Sequence, residues 1–181
     1  MNTWISHLKY DPLPALLGSD EKAIHYFVQK EFLEEQFISK ETVWNLVEPQ
    51  KILRKQLENG AWPRAGVNKH PAVNIELIET WRYLRILIDK YDFDNTNAHI
   101  QKAAEFIFQC QSEAGDIRGF LANQYATYYT GALLGLLIKA GYQDDTQIEK
   151  GMQWLLSIRQ NDGGWSIPMI THKFSKEEQY K

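Results

Sequence analysis

Acidic, amide and aromatic side chains near the starts of helices are the groups in this chain that could do chemistry. Asp92-Phe93-Asp94-Asn95-Thr96 sets two carboxyls two positions apart. A carboxyl beside another carboxylate is pushed toward its neutral form, as a proton donor must be. Asp144-Asp145-Thr146 is a second acidic run. Acids just before a helix also cap its free N–H groups, and that reading is preferred for both runs. Asn74, Glu76, Glu79 and Trp81 stand near the start of one apolar helix, and Tyr125, Tyr128 and Tyr129 near the start of another. Their rings and polar atoms could line a pocket for an apolar ligand. Aromatic stripes more often pack, so the plainer reading makes them core and loop residues.

Metal chemistry lacks its ligands. Cys110 is the single cysteine, and His7, His25, His70, His99 and His172 are scattered without ligand spacing, so neither metal nor cofactor is expected. Cys110 then acts as a small hydrophobe. One cysteine excludes an intramolecular disulfide and fits a reducing, cytoplasmic setting. Lys+Arg (20) fall below Asp+Glu (23) with no basic run, which argues against a nucleic-acid partner. No uncharged apolar run approaches the length of a membrane-spanning helix, and Met1 to Gly18 does not read as a signal peptide.

The elements that must position these groups are all helical. Asp11-Pro12-Leu13-Pro14 belongs to an extended lead-in over residues 1–18, because each proline biases its predecessor away from the helix. Ser19-Asp20-Glu21 opens an amphipathic helix carrying Ile24, Phe27 or Val28, and Phe32, which ends near Gln36. A second helix follows Ser39, and Pro49 either kinks it or opens a fresh helix over Gln50 to Glu58. Helices then run from about Ala72 to Lys90, Ala98 to Gln111, Gln124 to Ala140, and Asp144 to the turn at Gln160. The Gln124–Ala140 segment is so apolar beyond its tyrosines that it should be buried on most sides. Shorter helices ending in glutamine alternate with longer apolar ones that follow a glycine turn. Stacked as hairpins, these form a curved double layer.

The period is explicit in the turns. Lys150 to Trp165 runs through Gln160 to Gly163-Gly164-Trp165; Lys102 to Ile117 runs through Gln111 and Gly115; Gln56 leads to Gly60-Ala61-Trp62. A unit near fifty residues signals a stacked-repeat architecture. Gln111 and Gln160 should bond backbone at neighbouring helix ends, and Trp165 should cover its turn. The pattern resembles the QW repeat of the triterpene cyclases and, more loosely, that of protein prenyltransferase β-subunits. Lys150 to Trp165 fits it throughout, Lys102 to Ile117 lacks the tryptophan, and Gln56 to Trp62 fits in its second half. On this basis the chain, over about residues 40 to 165, is identified as a member of the terpenoid-cyclase/prenyltransferase α/α-toroid superfamily.

The resemblance implies inner and outer helices around a cavity that binds an isoprenoid in catalytic members. Cyclases of the squalene–hopene type protonate an alkene from an Asp-x-Asp-Asp motif at an inner-helix start. Here Asp92-Phe93-Asp94-Asn95 precedes an outer helix, and the inner-helix position reads Asn74-Ile75-Glu76. The zinc set of the prenyltransferases is absent from Asn123 to Tyr129. The expected fold is a single domain over residues 1–181, an incomplete α/α toroid. Its repeats fall at about 40–97, 98–147 and 148–181, the last truncated. Two functions follow: an isoprenoid-binding cyclase-like protein, or a non-catalytic α-solenoid that binds a protein partner on its concave face. The abrupt end suggests either a missing remainder or a homodimer formed through residues 150–174.

Overall fold

In the computed structural model, which describes residues 5, 7–33, 38–66 and 73–166, the described residues form eight α-helices, two of them followed by π-helical turns. Among the described residues no strand forms; isolated antiparallel bridges such as Gln111–Ile117 occur only in the loops. The expected helix end near Gln36, the start at Ala72, His70, His172 and the tail from residue 167 onward lie outside the described residues.

The lead-in is not extended throughout: α1 (Leu13–Leu17) is helical. Pro12 and Pro14 sit at its N-terminus, where a missing N–H costs nothing, and the Asp11 carboxylate accepts the Leu13 N–H at 2.9 Å. The next helix, α2 (Lys22–Val28), has Glu21 at its N-cap without a side-chain bond, and it continues as a π-helical turn, Gln29–Leu33. Ser39 caps α3 (Lys40–Trp44) as expected. The break before Pro49 comes earlier than expected, at Asn45–Leu46, and α4 (Val47–Leu53) carries Pro49 in its first turn.

Two long helices, α5 (Ile75–Tyr91) and α7 (Thr127–Leu137), pack side by side, backed by α4, α6 (Ala98–Gln109) and α8 (Thr146–Ser157). Leu77, Leu84 and Ile88 of α5, Ile100, Ala103 and Ile107 of α6, and Leu133, Leu134 and Leu137 of α7 merge in one buried cluster. That is the apolar face the 3.6-residue spacing requires. α7 is less enclosed than its composition suggests, since Tyr128 remains exposed. It also starts later than expected, so Tyr125 precedes the helix.

The outer layer is tied together by side-chain amides. Gln56 Nε2 donates to the Gly60 carbonyl (2.9 Å) and to the His99 carbonyl at the start of α6 (2.8 Å). One repeat later, Gln111 Nε2 donates to Gly115 (2.8 Å) and to Gln147 at the start of α8 (2.9 Å). Each amide thus satisfies its own turn and a carbonyl of the next outer helix. The glycines allow the approach. A Cβ on Gly60 would lie 2.1 Å from the Lys102 carbonyl oxygen, and one on Gly115 would lie 2.5 Å from that of Lys150. Both have positive φ.

The third turn corrects the sequence register by one residue. The positive-φ glycine is Gly163, and Arg159, four positions before it, donates from Nε to its carbonyl at 3.0 Å. Arg159 therefore takes the place of Gln56 and Gln111. Gln160 corresponds to Leu57 and Ser112, and its backbone N–H bonds the Gly164 carbonyl as theirs bond Ala61 and Asp116. Trp165 does cover its turn: its indole N–H donates to Leu155 at 2.7 Å, as that of Trp62 does to Ile52 at 2.8 Å.

Candidate functional site

The acidic pair between α5 and α6 is a structural knot. Asp92 ends α5 in the left-handed region. Its carboxylate accepts the Tyr26 hydroxyl and the Lys30 ammonium (2.9 Å), while Lys40 lies 3.6 Å away. Asp94 accepts Lys40 at 2.6 Å and both the N–H and the hydroxyl of Thr96. Burial alone would raise both carboxyls. At Asp92 the hydrogen bonds from Tyr26 and Lys30, with the charge of Lys40, outweigh it; at Asp94 those from Lys40 and Thr96 do, and both acids end below their usual range. A donor to an alkene needs the opposite shift. The capping expected of both acidic runs holds for the second, where Asp145 caps α8 by accepting the Gln147 N–H, and fails for the first, since Asn97, accepting the His99 N–H, caps α6.

At the start of α5, Asn74 caps the helix by accepting the Leu77 N–H (3.0 Å), and its amide points its N–H at Cys110 Sγ (3.6 Å). Glu76 accepts from Asn59, and buried Glu79 pairs with Arg82 at 3.1 Å. Trp81 and Tyr129 come together between α5 and α7, each against Phe120, which stacks on Tyr129 at 4.1 Å between centroids. Tyr128 meets Tyr129 edge-on and is otherwise open, whereas Tyr125 packs on Trp154, away from this cluster. Trp81, Tyr128 and Tyr129 are therefore neighbours; Tyr125 is apart. Burial pushes the Cys110 thiol up to about 11, which keeps it protonated and inert. Among the described residues no three His, Cys, Asp or Glu side chains are grouped to hold a metal.

A concavity among the described residues lies where sequence reasoning did not look. A groove of about 700 Å³ separates α1 and α2 from the C-terminal half of α5. Leu16, Ile24, Phe27, Phe32 and Ile86 supply its apolar wall, with Arg85 among its polar residues. The Arg85 guanidinium also lies 5.1 Å over the Trp81 ring, so the groove abuts the aromatic cluster. The signal was present in the spacing of Ile24, Phe27 and Phe32.

Amide clamps and glycine turns thus recur along the chain. Residues 78–176 match the squalene-hopene cyclase C-terminal domain. The chain belongs to this family. Among curated proteins none matches. Membership of the squalene-hopene cyclase C-terminal family accounts for the all-helical, terpenoid-cyclase-like fold; the fates of the acids and aromatics are features of this chain's own packing. Among the described residues no helix is long and apolar enough to cross a membrane.

Proposed function

We propose that this cyclase-family chain is a non-catalytic binder of an apolar, isoprenoid-type ligand, held in the groove between α1, α2 and α5. The observation that carries the reading is that groove: about 700 Å³, walled by aliphatic and aromatic side chains with few polar groups, within the range typical of small-molecule sites. Arg85 lines the groove and lies over the Trp81 ring at 5.1 Å, so the candidates Trp81, Tyr129 and Tyr128 stand behind its wall rather than in it. Binding without turnover fits the acids, since Asp92 and Asp94 are held ionised by lysines.

The test uses farnesol as probe in calorimetric titration, with native mass spectrometry of protein purified from its source to detect a co-purifying lipid. Ile24→Asp and Ile86→Asp place a charge on the wall at exposed positions, where folding should survive. Affinity should fall by at least about tenfold in both. No farnesol binding by the parent protein, or unchanged affinity in both variants, would reject the site. The alternative, a helical repeat that works by contacting protein, is favoured by Met152 and Leu156 on α8, which are 41% and 60% exposed.

A further inference from the structure

A second cavity, of about 340 Å³, lies between α6 and the turn that leads from α7 into α8, and shares no residue with the apolar groove. Gln101, Ala104, Glu105 and Phe108 line it from one face of α6, at the i, i+3, i+4, i+7 spacing that a helix requires. Tyr142, which ends the π-helical turn Ile138–Tyr142, and Asp145, the N-cap of α8, line it from the other side. Asn95 and Gln101 spend their amide N–H groups on holding the two sides together: Asn95 Nδ2 donates to the Gly141 carbonyl at 2.7 Å, and Gln101 Nε2 to the Asn95 carbonyl at 2.8 Å. The Phe108 and Tyr142 rings stand 80° apart with centroids at 6.1 Å, so they form an aromatic corner. Charge in this corner has one sign. No Lys, Arg or His lines it, and among the described residues neither Glu105 nor Asp145 joins an ion pair. Burial raises the Tyr142 phenol pKa, and the negative charges of Glu105, Asp145 and Asp94 raise it further. Asp94 is answered by Lys40 at 2.6 Å; the other two have no such counter-charge.

We propose that this cavity binds a small alkylated ammonium ion of the trimethylammonium type. Two aromatic walls replace the hydration that such a bulky ion holds only weakly, and two carboxylates without a counter-ion supply the field that attracts it. A metal ion fits the lining poorly. Among the described residues no three His, Cys, Asp or Glu side chains are grouped as ligands, and a hard cation here would exchange water oxygens for ring carbon. The volume is at the small end of ligand pockets, which suits a choline-sized molecule. Because the site has its own residues, it stands whether or not the groove beside α1 and α2 holds an apolar ligand.

The test is an NMR titration of the full chain with choline chloride, sodium chloride holding the ionic strength constant. A parallel titration uses neohexyl alcohol, which has the shape of choline without its charge. Choline should shift the Phe108 and Tyr142 ring resonances in a saturable way, and the neutral isostere should bind at least about tenfold more weakly. Glu105 is exposed, so Glu105→Gln should leave folding intact while weakening choline binding by about threefold or more. Tyr142→Leu should weaken it similarly, with circular dichroism as the folding control. No saturable shift with choline, shifts centred away from Phe108 and Tyr142, an isostere that binds as tightly, or an unchanged affinity in Glu105→Gln would each overturn the proposal.

Discussion

Gln111 donates from Nε2 to the Gln147 carbonyl at 2.9 Å, yet its Oε1 is buried without a partner. The earlier repeat solves this with one residue. Gln56 Oε1 meets His99 Nδ1 at 2.5 Å, and because the Gln56 amide nitrogen already serves two carbonyls, the imidazole must be the donor. Burial, with the charge of Lys102 second, lowers the His99 pKa and keeps the ring neutral. Position 147 occupies the same place on α8 as His99 on α6. Gln147→His should therefore stabilise the protein by about 1 kcal/mol, and Gln111→Ala should cost about 1–3 kcal/mol. Urea unfolding of both variants checks the pair; destabilisation by Gln147→His would contradict the register.

The Asp92–Asp94 knot predicts acid sensitivity. A carboxyl whose folded pKa is depressed contributes stability above its unfolded value, about 4, and loses it as pH falls toward the folded value. Both acids are depressed, so stability should decline below that pH, with the α2 and α3 contacts made by Tyr26, Lys30 and Lys40 failing. Asp92→Asn should cost about 1–3 kcal/mol at neutral pH and flatten the acid limb. Unfolding midpoints followed across the acid range measure this.

Glycines separate by environment. Gly115→Ala combines a positive φ with a Cβ 2.5 Å from the Lys150 carbonyl oxygen, so a loss beyond about 2 kcal/mol is expected. Gly135 lies within α7, has nothing within 4 Å of its Cβ position, and is exposed. Gly135→Ala should gain about 0.5–1 kcal/mol. Thermal melts of the two variants should move in opposite directions.

Cys110 should resist alkylation. Its thiol, raised to about 11 by burial, is almost wholly protonated at neutral pH. Iodoacetamide labelling followed by mass should be slow in buffer and rapid in denaturant. Rapid labelling of the folded protein would show that the Asn74–Cys110 contact opens readily.

The sequence by itself determined what depends on neighbours a few residues away. Apolar spacing placed α5, α6 and α8 to within a few residues; the acids at 144 and 145 marked the start of α8; Gly60 and Gly115 marked the turns that only a residue free of Cβ can make. Those choices are settled by backbone sterics and by hydrogen bonds inside one turn, so the chain carries them locally. Tertiary structure decided the rest. Two adjacent glycines at 163 and 164 leave the third turn's register open, and it is fixed by Gly163's positive φ and the Arg159 bond to its carbonyl. In sequence the acids at 92 and 94 read as a proton donor or as helix caps; they are lysine-bound anchors instead, and that outcome rests on Lys30 and Lys40, which lie 62 and 54 positions away in the chain. The groove needed α1 and α2 folded against α5, a surface made by packing and therefore invisible to any local spacing.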